Sequence, residues 1–154
     1  MNSKNHPPCG TLVLQARALL SGQKDRIANA ANLSALLFME FGDVSWVGFY
    51  FLRGDKLVLG PFQGKPACVT IPLGKGVCGT AAATRTSQRV PDVHSFPGHI
   101  ACDVSARSEV VVPLILHGVL IGVLDIGSST LERFDPQDQE LIEQMAEIYL
   151  NAID

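Results

Sequence analysis

The stretch GHIACDVSARSE, residues 98–109, sets a cysteine among titratable side chains. Cys102 follows His99 by three residues, directly precedes Asp103 and lies seven residues before Glu109. A nearby negative charge disfavours a thiolate, so these acids do not by themselves activate the cysteine. The residue types leave three roles open for Cys102: a buried structural thiol, a metal ligand, or a nucleophile that another part of the chain activates.

The other cysteines are Cys9, Cys68 and Cys78, and no two cysteines form a C-x-x-C pair. The N-terminal stretch lacks a long apolar core followed by a small-residue cleavage site, so we expect no signal peptide, no anchor and a cytoplasmic location. A framework of structural disulfides is then not expected. Structural zinc usually has closely paired ligands, and only His99 with Cys102 approaches such spacing, so we expect no metal.

Three of the cysteines, Cys68, Cys78 and Cys102, lie in or beside predicted irregular backbone. A free cysteine is most often a small buried hydrophobe, but three around one pocket favour thiol chemistry. Cys78 stands in GKGVCGT at the predicted start of a helix, where backbone N–H groups would lower the pKa of its thiol. The GKG sequence is a faint phosphate-loop signal, because the Walker pattern is absent.

Aromatic residues alternate along SWVGFYF, which is predicted to be a strand. Successive side chains of a strand point to opposite faces, so Trp46 and Tyr50 share one face with Gly48 between them. The opposite face carries Val47, Phe49 and Phe51. We interpret the second set as core and the first as a slot with aromatic walls for a small, partly apolar ligand. The alternative is that Trp46 and Tyr50 only pack beneath a helix.

Asp125 ends the apolar run GVLD, where a carboxylate is costly unless it is paired. Its partner is either a ligand ammonium or an Arg or Lys of this chain. If residues 117–118 form a simple two-residue turn, Val110 faces Asp125 and Glu109 lies on the opposite face. A bulge near Pro113, or a Glu109 just before the ladder, would bring the two acids together.

Two histidines, His94 and His99, lie in residues 88–108, a long segment with prolines, a glycine and little periodicity. Long irregular segments in compact domains often carry function. Each histidine is a candidate base or ligand, and the alternative is that each caps a turn or lies on the surface.

The predicted elements that position these residues run helix, hairpin, short strand, helix, long loop, hairpin and helix. The first helix extends from Asp25 to Met39, and the strand from Val44 to Leu52 returns as KLVLGPF. The second hairpin, EVVVPLIL and VLIGVLDI, is almost continuously apolar and should be central. Asp135 caps the last helix, with Pro136 at its first position.

This order predicts an α+β domain with a central antiparallel sheet, helices mainly on one face and a loop-covered pocket on the other. We expect a loose tail at residues 1–11, in which Cys9 is dispensable, and one domain at residues 12–154. The chain has 154 residues, a net charge of −3 and no cluster of Lys or Arg. Nucleic-acid and membrane-surface partners are therefore not expected, and no apolar run is long enough to span a bilayer.

From SWVGFYF to the final helix, the chain resembles the free methionine-(R)-sulfoxide reductases, which are built on a GAF domain. The similarity is carried by WVGFYFL, LVLGPFQGKPACVTIPLGKGVCGTA, DVHSFPGHIACD, SEVVVPL and IGVLDI. A GAF fold alone hosts many ligands, so the three cysteines in this context separate the reductases from sensory GAF domains.

The resemblance implies that Cys102 is the catalytic cysteine, Cys68 the main resolving cysteine and Cys78 a second thiol able to take part. The substrate-binding residues that it implies are Trp46, Tyr50, Glu109 and Asp125. The family usually reads LDIDS where this chain reads LDIGS. Gly127 thus replaces an aspartate that helps to bind the substrate's amino group in the family.

The implied reaction is reduction of free L-methionine-(R)-S-oxide to L-methionine, without a cofactor. A Cys102 sulfenic acid would form and condense with Cys68, and a thioredoxin-like reductant would recycle the disulfide. Glu109, and after it Asp125, is the candidate proton donor to the sulfoxide oxygen. GAF domains often dimerise, so a homodimer is expected. The rivals are a non-catalytic redox-sensing GAF module and a structural zinc site of Cys102, His99 and another thiol.

Overall fold

The computed structural model describes residues 9–100, 102 and 105–154. Its helices are α1 Cys9–Leu20, α2 Arg26–Glu40, α3 Gly76–Thr84 and α4 Pro136–Ile153, with a 3-10 turn at Val93–Ser95. Its strands are β1 Trp46–Arg53, β2 Lys56–Gly64, β3 Thr70–Pro72, β4 Gln88–Val90, β5 Ser108–Leu116 and β6 Val119–Ser128. None of the described helices has the length and apolar character that crossing a membrane requires.

The strands form one antiparallel sheet in the order β3-β2-β1-β6-β5-β4. The two hairpins predicted from the sequence, β1–β2 and β5–β6, lie side by side, and β1 pairs with β6 at the centre of the sheet. The two shortest strands, β3 and β4, form its edges. This arrangement confirms the predicted α+β class and the central position of the apolar hairpin.

Each face of the sheet has its own hydrophobic core. Helices α1, α2 and α4 cover one face, where Val47 and Phe49 are fully buried among residues such as Leu33 and Ile142. Helix α3 and the segments around it cover the other face, which carries Trp46 and Tyr50. The alternation read from SWVGFYF is therefore confirmed, and helices lie mainly on one face as predicted.

The β5–β6 turn has positive φ angles at both of its central residues, 51° at His117 and 77° at Gly118. Such angles suit a tight two-residue hairpin, because they match the right-handed twist of the strands. The ladder accordingly begins with Leu116 opposite Val119, as the sequence predicted for a simple turn.

One step further along, the register shifts. Ile115 pairs with Leu120 but Leu114 pairs with Gly122, so Ile121 is an extra residue in β6. Beyond this bulge the pairs become Val111 with Asp125 and Glu109 with Gly127. Glu109 and Asp125 consequently share a face, which is the outcome expected if a bulge lay near Pro113.

The structure confirms the predicted starts of helices α2 and α4. The Asp25 side chain accepts a hydrogen bond from the Ala28 N–H at the start of α2. Asp135 caps α4 with Pro136 next to it, and Asp138 completes a capping box by accepting from the Asp135 N–H. These caps fix where the two long helices begin on the sheet.

Helix α1 and strand β4 were missed by the sequence analysis. The buried residues of α1, which are Leu12, Ala16 and Leu20, are spaced four apart as in an amphipathic helix. The polar residues around them made this spacing difficult to recognise in the sequence. Residues 9–11, assigned to the tail, belong to this helix, and residues 1–8 lie outside the described residues. Strand β4 lies within the segment predicted as irregular, and its ladder covers only Gln88–Val90.

A glycine next to the bulge fixes how closely β6 approaches β1, and it generates a stability prediction. A Cβ at Gly122 would lie 2.1 Å from the Tyr50 backbone oxygen. We expect Gly122→Ala to lower the free energy of unfolding by about 1–3 kcal/mol, because the two central strands must separate. Urea denaturation measures the loss. Gly10→Ala is the control, since a Cβ there meets nothing within 4 Å. A Gly122→Ala protein as stable as its parent would contradict this account.

Candidate active site

A pocket lies between the sheet and α3, on the face opposite the three longer helices. It has about 600 Å³ of empty space, including its opening to solvent. Strands β1, β5 and β6 supply its base, α3 supplies one wall, and the segment around Ile100 and Cys102 lies over it. The residues predicted to bind substrate all line this pocket: Trp46, Tyr50, Glu109 and Asp125.

The aromatic base of the pocket differs from the slot predicted over Gly48. The rings of Trp46 and Tyr50 are nearly parallel, with centroids 6.0 Å apart, and Trp46 also stacks on Phe62 at 5.3 Å. A Cβ at Gly48 would lie 2.5 Å from the Trp46 ring and 2.4 Å from Phe62 Cβ. The space over Gly48 is therefore filled by the indole itself, and the glycine allows that ring to lie flat against the strand.

The polar atoms of both rings hold the chain segment that contains Cys68. The Trp46 Nε1–H donates to the Lys65 carbonyl at 3.1 Å, and the Tyr50 hydroxyl donates to the Cys68 carbonyl at 2.9 Å. Burial, followed by the charge of Asp125, raises the pKa of Tyr50 well above its usual range, so the hydroxyl stays a donor. The base of the pocket thereby positions one of the three cysteines.

A disulfide joins Cys68 to Cys102 at the edge of the pocket, across a sequence separation of 34 residues. Both cysteines are half-buried, and Cys102 lines the pocket. Cys78 is a free, buried thiol, whereas Cys9 is free and exposed on α1. The Cys102 sulfur is thus bonded to Cys68 and is not a thiolate ligand for zinc in this state.

The opposite wall is a cluster of one thiol and two carboxyl groups. The Cys78 thiol donates to Asp125 Oδ2 at 3.2 Å and lies 3.9 Å from Glu109 Oε1. Asp125 also shares a side-chain hydrogen bond with Glu109. Its partners in residues 9–100, 102 and 105–154 are a thiol and a carboxyl group, so the Arg or Lys partner considered from sequence is not found there.

Burial dominates the ionisation of this cluster. Desolvation raises the pKa of Asp125, against hydrogen bonds from Glu109 and Cys78 that lower it. Asp125 Oδ1 is buried and has no hydrogen-bond partner among the described residues. A buried carboxylate oxygen without a donor is costly, so this wall favours a proton or a cationic group that enters the pocket.

The expectation that the start of α3 lowers the thiol pKa of Cys78 is wrong. Burial is the largest effect and raises that pKa well above its usual range, and the charges of Asp125 and then Glu109 raise it further. The N–H groups at the start of α3 do not outweigh the loss of hydration and two adjacent acids. Cys78 is therefore held as a neutral thiol.

The two histidines lie next to each other but differ in exposure. His99 lines the pocket and His94 is exposed, with their ring centroids 5.7 Å apart in an edge-to-face arrangement. Burial, and after it the proximity of His94, lowers the pKa of His99. His99 is thus a neutral imidazole at neutral pH, available as a hydrogen-bonding group at the pocket.

Gly127 also lines the pocket, directly opposite Glu109 in the ladder. A Cβ at this position would meet only the Ser108 carbonyl, at 3.9 Å. The sequence analysis missed the apolar members of the lining, because no chemical signature marks them. They are Ala67, Ile71, Val77, Ile100 and Ala106.

Comparison with known proteins finds the same fold and the same family. A model of the GAF domain matches residues 25–154. The free methionine-R-sulfoxide reductase of Escherichia coli is 52% identical over 83% of this chain and 78% of its own length. The structure of fRMsr of Staphylococcus aureus in reduced form has 47% identity and a TM-score of 0.95, covering 97% of each chain. The free methionine-R-sulfoxide reductase from Neisseria meningitidis, solved in complex with its substrate, has 42% identity and a TM-score of 0.91, covering 94% of this chain and 87% of that one.

The cluster generates a prediction about thiol reactivity. In the disulfide form, we expect Cys78 to react with iodoacetamide far more slowly than Cys9 at neutral pH, because its thiol is buried and resists ionisation. Asp125→Asn removes a charge that raises the pKa of Cys78, so the pH at which Cys78 becomes reactive should fall. Each pKa unit lost gives about tenfold more thiolate at a fixed pH, and alkylation should be faster. Mass spectrometry of each cysteine measures both rates, with Cys9 as the internal control. A Cys78 rate that Asp125→Asn leaves unchanged would contradict the assignment.

Proposed function

The chain belongs to the free methionine-R-sulfoxide reductases of the GAF-domain family, and we propose that it reduces free L-methionine-(R)-S-oxide to L-methionine by thiol chemistry. The observation that carries this proposal is the Cys68–Cys102 disulfide at the edge of the pocket. A disulfide beside a pocket is the expected oxidised product of a reaction in which one cysteine reduces a ligand that binds there. The family relationship supplies the substrate class.

In the first step, the Cys102 thiolate forms a bond to the sulfoxide sulfur. The sulfoxide oxygen takes up a proton, its bond to the substrate sulfur breaks, and the resulting hydroxyl group bonds to the Cys102 sulfur. The transient bond between the two sulfur atoms breaks at the same time, which leaves a Cys102 sulfenic acid and free methionine. The substrate sulfur gains two electrons and the cysteine sulfur loses two. Cys102 is the proposed catalytic residue because it lines the pocket, where a bound sulfoxide would lie next to it.

In the second step, the Cys68 thiol attacks the sulfenic sulfur of Cys102, a disulfide forms and water leaves. The disulfide present here supports Cys68 as the main resolving thiol. Cys78 is a less suitable partner, because it is engaged with Asp125 and its pKa is raised. An external dithiol of the thioredoxin type then reduces the disulfide, becomes oxidised itself, and restores both thiols.

Glu109 is the proposed proton donor to the sulfoxide oxygen, with Asp125 as the second candidate. The two carboxyl groups share a hydrogen bond, which requires a proton between them. Like charges this close do not both ionise readily, so one member of the pair carries a proton near neutral pH. A protonated carboxyl at the pocket wall can serve as a general acid.

Recognition of the substrate rests on the same wall and on the rings. The partnerless Asp125 Oδ1 suits the ammonium group of a free amino acid. Trp46 and Tyr50 offer apolar ring surface to the side chain and the methyl group. A methionine within a polypeptide has no free ammonium group for Asp125 to bind, so we propose selectivity for the free amino acid. A homodimer and a cytoplasmic location remain predictions.

A coupled turnover assay tests the proposal. With thioredoxin, its reductase and NADPH, we expect turnover of free methionine-R-sulfoxide but not of the S epimer. Cys102→Ser should lower the rate more than about 100-fold, because the nucleophile is lost. Cys68→Ser should impair thioredoxin-supported turnover, and Cys9→Ser is the matched control. Full activity of Cys102→Ser would refute the mechanism. Thiol oxidation without turnover of either epimer would favour a redox-sensing module.

Gly127 allows a separate test of ammonium recognition. The position has space for a side chain, so Gly127→Asp should fold and place a third carboxyl group opposite Glu109. We expect the KM for the free amino acid to fall by about three- to tenfold, because one more charged acceptor faces the ammonium group. Gly127→Asn controls for size. Equal effects of Asp and Asn on KM would rule out a charge interaction at this position.

A further inference from the structure

The side chains on the acidic wall of the pocket are also of the types that bind metal ions. We propose that Cys78, Glu109 and Asp125 bind a zinc ion, and that this ion excludes the substrate from the pocket. One ligand atom from each side chain lies within 4.8 Å of the others. Zinc is bound in proteins by cysteine sulfur and carboxylate oxygen, so the donor set fits it.

The two separations between the thiol sulfur and the carboxyl oxygens are close to those of a tetrahedral site. Bond lengths of about 2.3 Å for Zn–S and about 2.1 Å for Zn–O place the sulfur and an oxygen about 3.6 Å apart in a tetrahedron. The observed separations from Cys78 Sγ are 3.2 Å to Asp125 Oδ2 and 3.9 Å to Glu109 Oε1. Both sulfur–oxygen separations therefore lie within a few tenths of an ångström of the tetrahedral value.

The ligands come from three elements that are packed together. Cys78 lies on α3, Glu109 on β5 and Asp125 on β6, and α3 rests directly on both strands. A site built on helices and strands holds its geometry better than one built on loops, and it loses less entropy when the ion binds.

An independent sign of a missing partner is Asp125 Oδ1, which is buried and accepts no hydrogen bond from the described residues. Two carboxyl groups and a thiol are also gathered where water is scarce, which is unfavourable for any of them as an anion. A divalent cation would favour the ionised forms of all three groups, because it attracts their negative charges and replaces the water that burial removed.

The metal is expected to be zinc and not magnesium or calcium. The latter two prefer six or more oxygen ligands, whereas a thiolate with two carboxylates suits a four-coordinate, sulfur-tolerant ion. The cluster faces the pocket, so a water molecule can supply the fourth ligand. Because the same Asp125 is proposed to meet the substrate's ammonium group, zinc and substrate would compete. The ion is therefore an inhibitor and not a cofactor that the reaction requires.

Binding is tested on the disulfide form of a Cys9→Ser protein, in which Cys78 is the single free thiol. Isothermal titration calorimetry with zinc chloride should give one site per chain. Cobalt(II) should give the near-ultraviolet absorption of a cobalt–thiolate bond. Cys78→Ser and Asp125→Asn, made in the same background, should each weaken zinc binding at least tenfold. Asp55→Asn, an exposed acid in the β1–β2 turn, is the matched control.

A second measurement needs no substitution at the three proposed ligands. Zinc should protect Cys78 of the Cys9→Ser protein from slow alkylation, and a chelator should restore the reaction. No zinc binding by the disulfide form, or binding that Cys78→Ser and Asp125→Asn leave unchanged, would overturn the proposal. Binding that appears only after reduction would assign the ion to Cys68 and Cys102 and would likewise overturn it. None of these measurements requires reductase activity, so a failure of the zinc proposal can be distinguished from a failure of the proposed function.

Discussion

The site depends on a register constraint in the central hairpin. The extra residue Ile121 shifts β6 by one position against β5, so Asp125 pairs with Val111 and shares a face with Glu109. Without the shift, Val110 would oppose Asp125, and the two acids would lie on opposite faces of the sheet. One carboxylate would then enter the core formed by α1, α2 and α4, where the surroundings are apolar. A single bulge thus decides whether the pocket has an acidic wall at all.

Burial then sets the chemistry of that wall. Two carboxyl groups and a thiol within hydrogen-bonding distance of one another cannot all be charged at low cost in a desolvated place. The result is a neutral thiol at Cys78 and a raised pKa at Asp125. The positive end of a helix, which suggested an activated Cys78, is a weaker influence than desolvation. The three cysteines are therefore chemically distinct, although the sequence presents them in similar settings.

Much of the fold followed from local patterns. The alternation in SWVGFYF predicted the two faces of β1, and the capping residue Asp135 with Pro136 predicted the start of α4. These features depend on residues that are close together in the chain, so they can be recognised from the sequence alone. The bulge at Ile121 could be named only as a possibility, because it reflects how two strands pack against α3 and β1. The filling of the space over Gly48 by Trp46 likewise arises from Phe62, which lies on the next strand.

The disulfide also has a consequence for the energetics of the whole fold. Cys68 lies two residues before the edge strand β3, and Cys102 lies in the segment between β4 and β5, so the bond ties these two segments together at the edge of the pocket. Closing a loop of 34 residues restricts the unfolded chain by about 3–4 kcal/mol on entropic grounds. By thermodynamic reciprocity, the folded chain favours the bond by the same amount that the bond favours folding. In the proposed reaction, each cycle of oxidation and reduction would form and break this cross-link, and the reductant would act against the stabilisation that the bond gives to the fold.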